Sequence, residues 1–493
     1  MRVRLLSLLV AFGLVLPFID KPVHVDDANF LRLAEGAVAD VWRPHAVQIN
    51  WQGKTETAFD VLSNPPGIAW WLAPVVDAPV TVQHLWMLPW LLLALWGAHQ
   101  LGKAFVGDGR AALLLVATSP VVLLSAQALT PDLPLLACTL AGVGGFLNGR
   151  GAWALLAGCA VLFRYSGLCL WPLMALFGWQ HKRASAALVV IPGLLLFAHD
   201  LQAYGQLHVA AMSSFQSVAN TPWEVLRKGV AAMAMLGGAG VLGALTPRGW
   251  PGALAGALVG LGAGLISGQA GIGLVMTVAC TASGGALLAG LRWRSALDRG
   301  LLAWALGGVV FMLLLRFAAT RYWLPFLAAP LLAALRLRPG MRRIALVATA
   351  QAALALGLSW DDRAFARAHE TLAEAVTQRG TGSFAGHWGW QHHMEKAGWR
   401  ALEDDGAPDA LHAEALAPWP QQPDRVCERI ETLMVADDNP GPRTHTAAGA
   451  ANLHAYVVSS TEVVETYAPW SFSNEPYDIV HLWQCRTDDG GLD

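Results

Sequence analysis

Charge is scarce in this chain of 493 residues: only 14% are Asp, Glu, Lys or Arg, against 55% hydrophobic, and the formal net charge is −2. So little charge with so much apolar surface excludes an ordinary soluble globule, and a mean hydropathy of +0.43 points to an integral membrane protein. There is no basic stripe and no aromatic-basic repeat, which sets nucleic acid aside as a partner. Cysteine is also sparse, six in all, with no C-x-x-C pair or zinc-finger spacing. Cys138, Cys159, Cys169 and Cys280 fall in or beside apolar blocks. Cys427 and Cys485 alone fall in the polar C-terminal region, where an oxidising compartment leaves a disulfide and two separate buried thiols as equal readings. Internal repeats are absent.

Long apolar runs are abundant instead. "MRVRLLSLLVAFGLVLPFID" places Arg2 and Arg4 before an apolar stretch without a small-x-small cleavage pattern, and reads as a retained first span. Further blocks continue to about residue 358; at roughly 20 residues per crossing they give about 13 transmembrane helices, with soft boundaries around residues 151–178 and 251–291. Basic residues mark alternate connections: Lys103 with Arg110, Arg150, Lys182 with Arg183, Arg248, Arg292 to Arg299, and Arg336 to Arg343. Lys and Arg accumulate on the cytoplasmic side. The loop 20–66, the turns near Asp132, Asp200 and Arg316, and everything after Trp360 are therefore expected outside the cytoplasmic membrane. The fold class expected is mainly α, a polytopic domain over 1–358 followed by a small extracytoplasmic α/β domain over 359–493, where "HAYVVSS" and "YDIVHLWQC" alternate like strands.

Ionisable groups inside a bilayer are costly and usually functional. Here they gather at the outer ends of spans: Asp26 and Asp27 after the first, Asp132 in "LTPDLPLL", Arg164 in "LFRYSGL", Asp200 and His208 in "HDLQAYGQLH", and Arg316 and Arg321 around "RFAATRYWLP". One aspartate after the first span is explained by helix capping, since Phe30, Leu31, Ala34, Ala37 and Val38 recur at helical spacing; two are not. A cavity at the outer face fits chemistry on a lipid head group better than passage across the bilayer, for which a polar site near the midplane is expected. Arginine suits phosphate through its planar fork of donors, although a single Arg near a span end is also a common interfacial anchor. Trp42, Trp51, Trp70 and Trp71 in the first loop can anchor at the interface or stack on sugars.

The acidic pair after span one, the amphipathic helix behind it, "NPPG" around Asn64 before span two, "PDLPL" and "RYWLP" together resemble the GT-C superfamily of membrane glycosyltransferases. The resemblance covers roughly residues 1–340 and is nearest the protein O-mannosyltransferase-like group, glycosyltransferase family 39, and the related aminoarabinose transferases. It implies an inverting enzyme that takes a sugar from a polyprenyl-phosphate-linked donor and passes it to a hydroxyl of a lipid, glycan or protein. The family's Asp-Glu pair corresponds to Asp26 and Asp27, so Asp26 is expected as catalytic base and Asp27, shorter than Glu by one methylene, as helper or cap. Arg316 and Arg321, then Arg164, are expected at the donor phosphate. Asp132, Asp200, His208 and Asn64 are expected near the acceptor, with Asp132 equally a helix cap. Some members use a divalent cation, which the first-loop carboxylates can hold; no cofactor is required by the pattern. A lipid-linked glycan transporter or flippase, or a ligase that moves a whole glycan, is the alternative. His387, His392 and His393 in "GHWGWQHHMEKAGW" match no metal-binding spacing.

Overall fold

A computed structural model describes residues 2–485 apart from 52, 217–220, 247, 316, 404–405, 419–426, 438–440, 448–450, 452, 455 and 458–464. Among the described residues, five helices are long and apolar enough to cross a membrane: Val80–Val106, Ala184–Tyr204, Gly271–Ala289, Ala296–Leu314 and Met341–Thr377. Val3–Phe18, Asp132–Leu147, Trp153–Leu162 and Trp250–Ile266 are shorter apolar helices. The expectation of about 13 spans assumed unbroken 20-residue units. Several apolar blocks instead divide into short pieces, as between Trp153 and His181, where two α-helices enclose the 3-10 turns Ala160–Leu162 and Tyr165–Cys169.

The Asp132–Leu147 helix lies at the centre, buried along its whole length. It packs so closely on Val80–Val106 that a Cβ at Gly97 would stand 2.3 Å from the Ala141 backbone nitrogen; only glycine permits this approach. Asp132 occupies its first turn, where a carboxylate complements the positive end of the helix dipole. The Leu324–Arg336 helix begins next to Arg321 and ends on a basic cluster, in which Arg336 donates to Asp298 at 2.8 Å and to the Phe105 carbonyl at 2.7 Å. Thirteen residues of helix put these two ends about 20 Å apart. The helix thus separates the Arg321 site from the Arg336–Asp298 pair.

Met341–Thr377 has 37 residues, roughly 55 Å of helix, far more than a bilayer core needs. Its first part is a span. Its last turns carry Leu372, Ala373 and Val376 into the core of the C-terminal domain, against Phe384, Ala413, Val480 and Leu482. The expected boundary at residue 358 thus falls inside one continuous helix. The domain is a five-stranded mixed sheet in the order Arg400–Ala401, Ser383–Ala385, Leu411–Ala415, Asp478–Cys485, Cys427–Val435. The first three strands run parallel to one another and the last two pairings are antiparallel. Cys427 and Cys485 face each other across the final pair and are joined by a disulfide. "YDIVHLWQC" is a strand as its alternation suggests; of "HAYVVSS" only Tyr456–Val457 is a described strand, paired antiparallel with Phe317–Ala318, and residues 455 and 458–460 lie outside the described residues.

Candidate functional site

The first loop turns sharply before its acidic pair. Val25 has φ 45°, in the left-handed region that a β-branched residue rarely enters and that costs about 1–3 kcal/mol. The Asp27–Ala39 helix then begins, its apolar face of Phe30, Leu31, Leu33, Ala34 and Ala37 buried. Neither aspartate caps it with a side chain, which corrects the capping expectation. Asp26 pairs with Arg321 instead. Asp27 turns inward, and its Oδ1 accepts the Leu129 N–H at 2.8 Å, pinning the first loop to the segment that leads into Asp132. The two carboxylates are therefore unlike: the Asp26 side chain keeps 23% of its surface exposed, and Asp27 is 1% exposed. Burial pushes the Asp27 carboxyl up to about 7, against the pull of Lys21.

From Asp26 the charges alternate. Arg321, held in the turn Thr320–Trp323, also lies 3.5 Å from Asp132 through Nε. Asp132 in turn pairs with Arg164, whose guanidinium sits 4.3 Å over the Tyr322 ring. Asp132 is thus a bridge between two arginines and makes no capping bond. The four charges come from four segments far apart in sequence, and they cancel pairwise in a setting that leaves each side chain at most a quarter exposed. Arg316 lies outside the described residues.

Beyond Arg164 opens a cavity of about 200 Å³, lined by Ser63, Asn64, Arg164, Tyr165, Ser166 and Tyr322 on its polar side and by Leu135, Met212, Phe311 and Leu315 on its apolar side. Asn64 is part of this lining; Asp200 and His208 are not. His208 Nδ1 lies 2.8 Å from the Tyr165 hydroxyl, and Asp200 accepts the His208 backbone N–H at 3.2 Å. Burial lowers His208 to about 4, so it is neutral at pH 7 and positions Tyr165 without adding charge. A cavity with one guanidinium, two phenols and an amide beside an apolar wall can take an anionic head group joined to an apolar chain.

A second cluster was not foreseen. Lys21 and His24 from the first loop meet Asp362 from the long Met341–Thr377 helix and His454 from the C-terminal domain. Next to it, Asp361 accepts from Arg443 at 3.1 Å and from the Thr444 N–H at 2.6 Å. The sequence signal was "WDDR", an adjacent acidic pair just where an apolar block ends, as at Asp26-Asp27. Among the described residues, His24, Asp362 and His454 form the one group of His, Cys, Asp or Glu close enough to share a metal ion. Of the first-loop carboxylates, Asp26 is paired with a guanidinium and one oxygen of Asp27 accepts a backbone amide.

The "GHWGWQ" stretch buttresses the first loop. The His387 ring stacks 4.8 Å from Trp51, Gln391 donates to the Asn50 carbonyl at 3.1 Å, and a Cβ on Gly389 would come within 2.4 Å of the Val23 carbonyl oxygen.

No protein-family model matches the sequence, and no curated protein does. Among solved structures the chain is similar to ArnT from Cupriavidus metallidurans in the apo state, at TM-score 0.44 and 13% identity over 83% of this chain and 92% of that one. ArnT bound to undecaprenyl phosphate gives 0.44 and 13% over 84% and 93%. The arabinofuranosyltransferase AftD from Mycobacteria gives 0.40 and 14% over 99% of this chain and 40% of that one.

Proposed function

We propose that this chain is a membrane glycosyltransferase that moves a sugar, hexosyl or pentosyl, from a polyprenyl-phosphate-linked donor to a hydroxyl acceptor at the outer face of the cytoplasmic membrane. The observation that carries the reading is the alternating series Asp26, Arg321, Asp132, Arg164, which begins at a partly exposed carboxylate and ends in a cavity with one polar and one apolar side. Its polar groups sit at span ends rather than midway, as chemistry on a head group requires.

In this reading Asp26 takes the proton of the acceptor hydroxyl while that oxygen attacks C1 of the sugar; help of this kind gives about 10² to 10⁴-fold. The C1–O bond to phosphate breaks, the electron pair stays with polyprenyl phosphate, and a single displacement inverts the anomeric centre. Arg164 stabilises the charge that develops on the departing phosphate, since preorganised cations act best where charge appears. Arg321 holds Asp26 in place before the acceptor arrives. Asn64 and Tyr165 contact the sugar or the acceptor, which is a lipid, a glycan or a protein.

The test uses the purified full chain in nanodiscs with a panel of polyprenyl-phosphate sugars and follows release of free polyprenyl phosphate. Release in the wild type that stops in Asp26→Asn supports the reading. Wild-type turnover in Asp26→Asn removes Asp26 as base. A preparation that binds polyprenyl phosphate and releases none from any donor replaces the transferase with a transporter or whole-glycan ligase.

A further inference from the structure

The Nε2 atoms of His24 and His454 both approach one oxygen of Asp362, at 3.1 and 2.6 Å. The three donor atoms lie within 4.8 Å of one another, and the two rings stand 5.1 Å apart, edge to face. The other Asp362 oxygen accepts from Lys21 at 2.8 Å, which fixes the carboxylate so that a single oxygen points at the imidazoles. Chain distance makes the convergence notable: His24 and Asp362 are 338 residues apart, and Asp362 and His454 another 92.

Two hydrogen bonds account for the short contacts but not for what surrounds them. A cavity of about 30 Å³, room for a water molecule, adjoins the cluster; His24, Asp362, His454, Asp27 and Thr130 line it, and so do Lys21 and Arg321, whose charges Asp362 and Asp26 offset. Asp27 Oδ2 and Thr130 Oγ1 are buried and lack hydrogen-bond partners. Other buried polar atoms here also lack partners, but these two line one void with two imidazoles and a carboxylate, and that convergence points to a ligand.

We propose that His24, Asp362 and His454 bind a divalent transition-metal ion of the zinc class, whose fourth position holds a water in the cavity lined by Asp27 and Thr130. The donor chemistry is apt: two imidazoles and one carboxylate oxygen are ordinary zinc ligands, and three protein ligands with an open fourth position are a common zinc arrangement. Geometry agrees. Tetrahedral bonds of about 2.1 Å give ligand edges of roughly 3.4 Å, so the two His–Asp362 pairs, at 3.1 and 2.6 Å, draw apart by less than an ångström while the two imidazole nitrogens, within 4.8 Å, settle to the same edge. A bound water donates two hydrogen bonds and can serve both orphaned oxygens. Lys21 plays the supporting part that such sites need, holding the ligand carboxylate from outside. The ion ties the first loop, the last span and the C-terminal domain together at one point. The inference does not rest on transferase activity.

The experiment uses the full chain purified in nanodiscs without added metal. Elemental analysis should find stoichiometric metal in the wild type, and chelation followed by Co²⁺ should give the visible d–d bands of an imidazole-ligated tetrahedral ion. His24→Gln and His454→Gln should each lose both signals while eluting as folded protein. Absence of bound metal together with absence of Co²⁺ bands in the wild type overturns the proposal and leaves a hydrogen-bonded cluster. Stoichiometric metal retained in both variants overturns the ligand assignment. Should either variant fail to fold, the Co²⁺ spectrum of the wild type still decides.

Discussion

Arg321 sits against Asp26 across 295 residues of chain, and this pair joins the first loop to the entry of a late helix. It also links a would-be base to the cation nearest it, so the two are expected to act as a unit. Arg321→Ala should lower turnover and stability together, by about 1–3 kcal/mol in stability, because it strands Asp26 and leaves Asp132 with Arg164 alone. A double-mutant cycle with Asp26→Asn, read by thermal unfolding, should show coupling of about 0.5–3 kcal/mol; strict additivity would dissolve the pair.

Arg164 lines the larger cavity and should be the cation that meets phosphate. Arg164→Ala is expected to weaken binding of polyprenyl phosphate by about 1.5–3 kcal/mol, roughly 10- to 100-fold, as for loss of a charged hydrogen bond. Titration of nanodisc-held protein with polyprenyl phosphate measures this. Unchanged donor affinity with a weakened acceptor would reassign the residue.

Gly389 approaches Val23 too closely for any side chain. Gly389→Ala should displace the loop that carries Asp26, costing about 1–3 kcal/mol and slowing turnover while donor binding persists. Comparing kcat with donor affinity checks it; loss of affinity alone would contradict the buttress role.

Acid should loosen the C-terminal domain. Burial lowers His387 to about 4, His393 to about 3 and His412 to about 4, so the folded domain refuses protons that the unfolded chain accepts below about 6.5. Stability is then full above pH 6.5 and falls as pH drops toward 4, by up to about 1.4 kcal/mol per unit for each group. A flat melting temperature between pH 7 and 4.5 would refute this.

Reduction should act on the same domain. The Cys427–Cys485 bridge closes a separation of 58 residues, and removing it with Cys427→Ser plus Cys485→Ser is expected to cost about 2–4 kcal/mol. Melting with and without reductant measures it, and the serine variant should no longer respond to reductant.

Much of this was legible in the sequence because membrane burial makes charge expensive. Asp26, Asp132, Arg164 and Arg321 stood out at span ends, and the structure brings those four into one series. Their partners were not legible: nothing in "TPDLPL" says that its aspartate lies between two arginines, since ion pairing is decided by tertiary packing. Asp200 and His208 were visible for the same reason as the others yet proved to be supports of Tyr165. Asp362 went unread because it follows a long apolar block and looked like the start of a new domain. His454 went unread because a lone histidine in a polar stretch carries no pattern. The expected spans do not map one to one onto long helices where 3-10 turns divide apolar blocks into pieces shorter than a bilayer.

The unbroken Met341–Thr377 helix has a mechanical consequence. A stiff rod fixed at one end in the bilayer and at the other in a folded sheet turns any tilt below into a swing above. Membranes of different thickness impose different tilts on an over-long apolar helix. Because the same rod carries Asp361 and Asp362 to Arg443, His24 and His454, a change of tilt reaches the first loop and the sheet together as one lever.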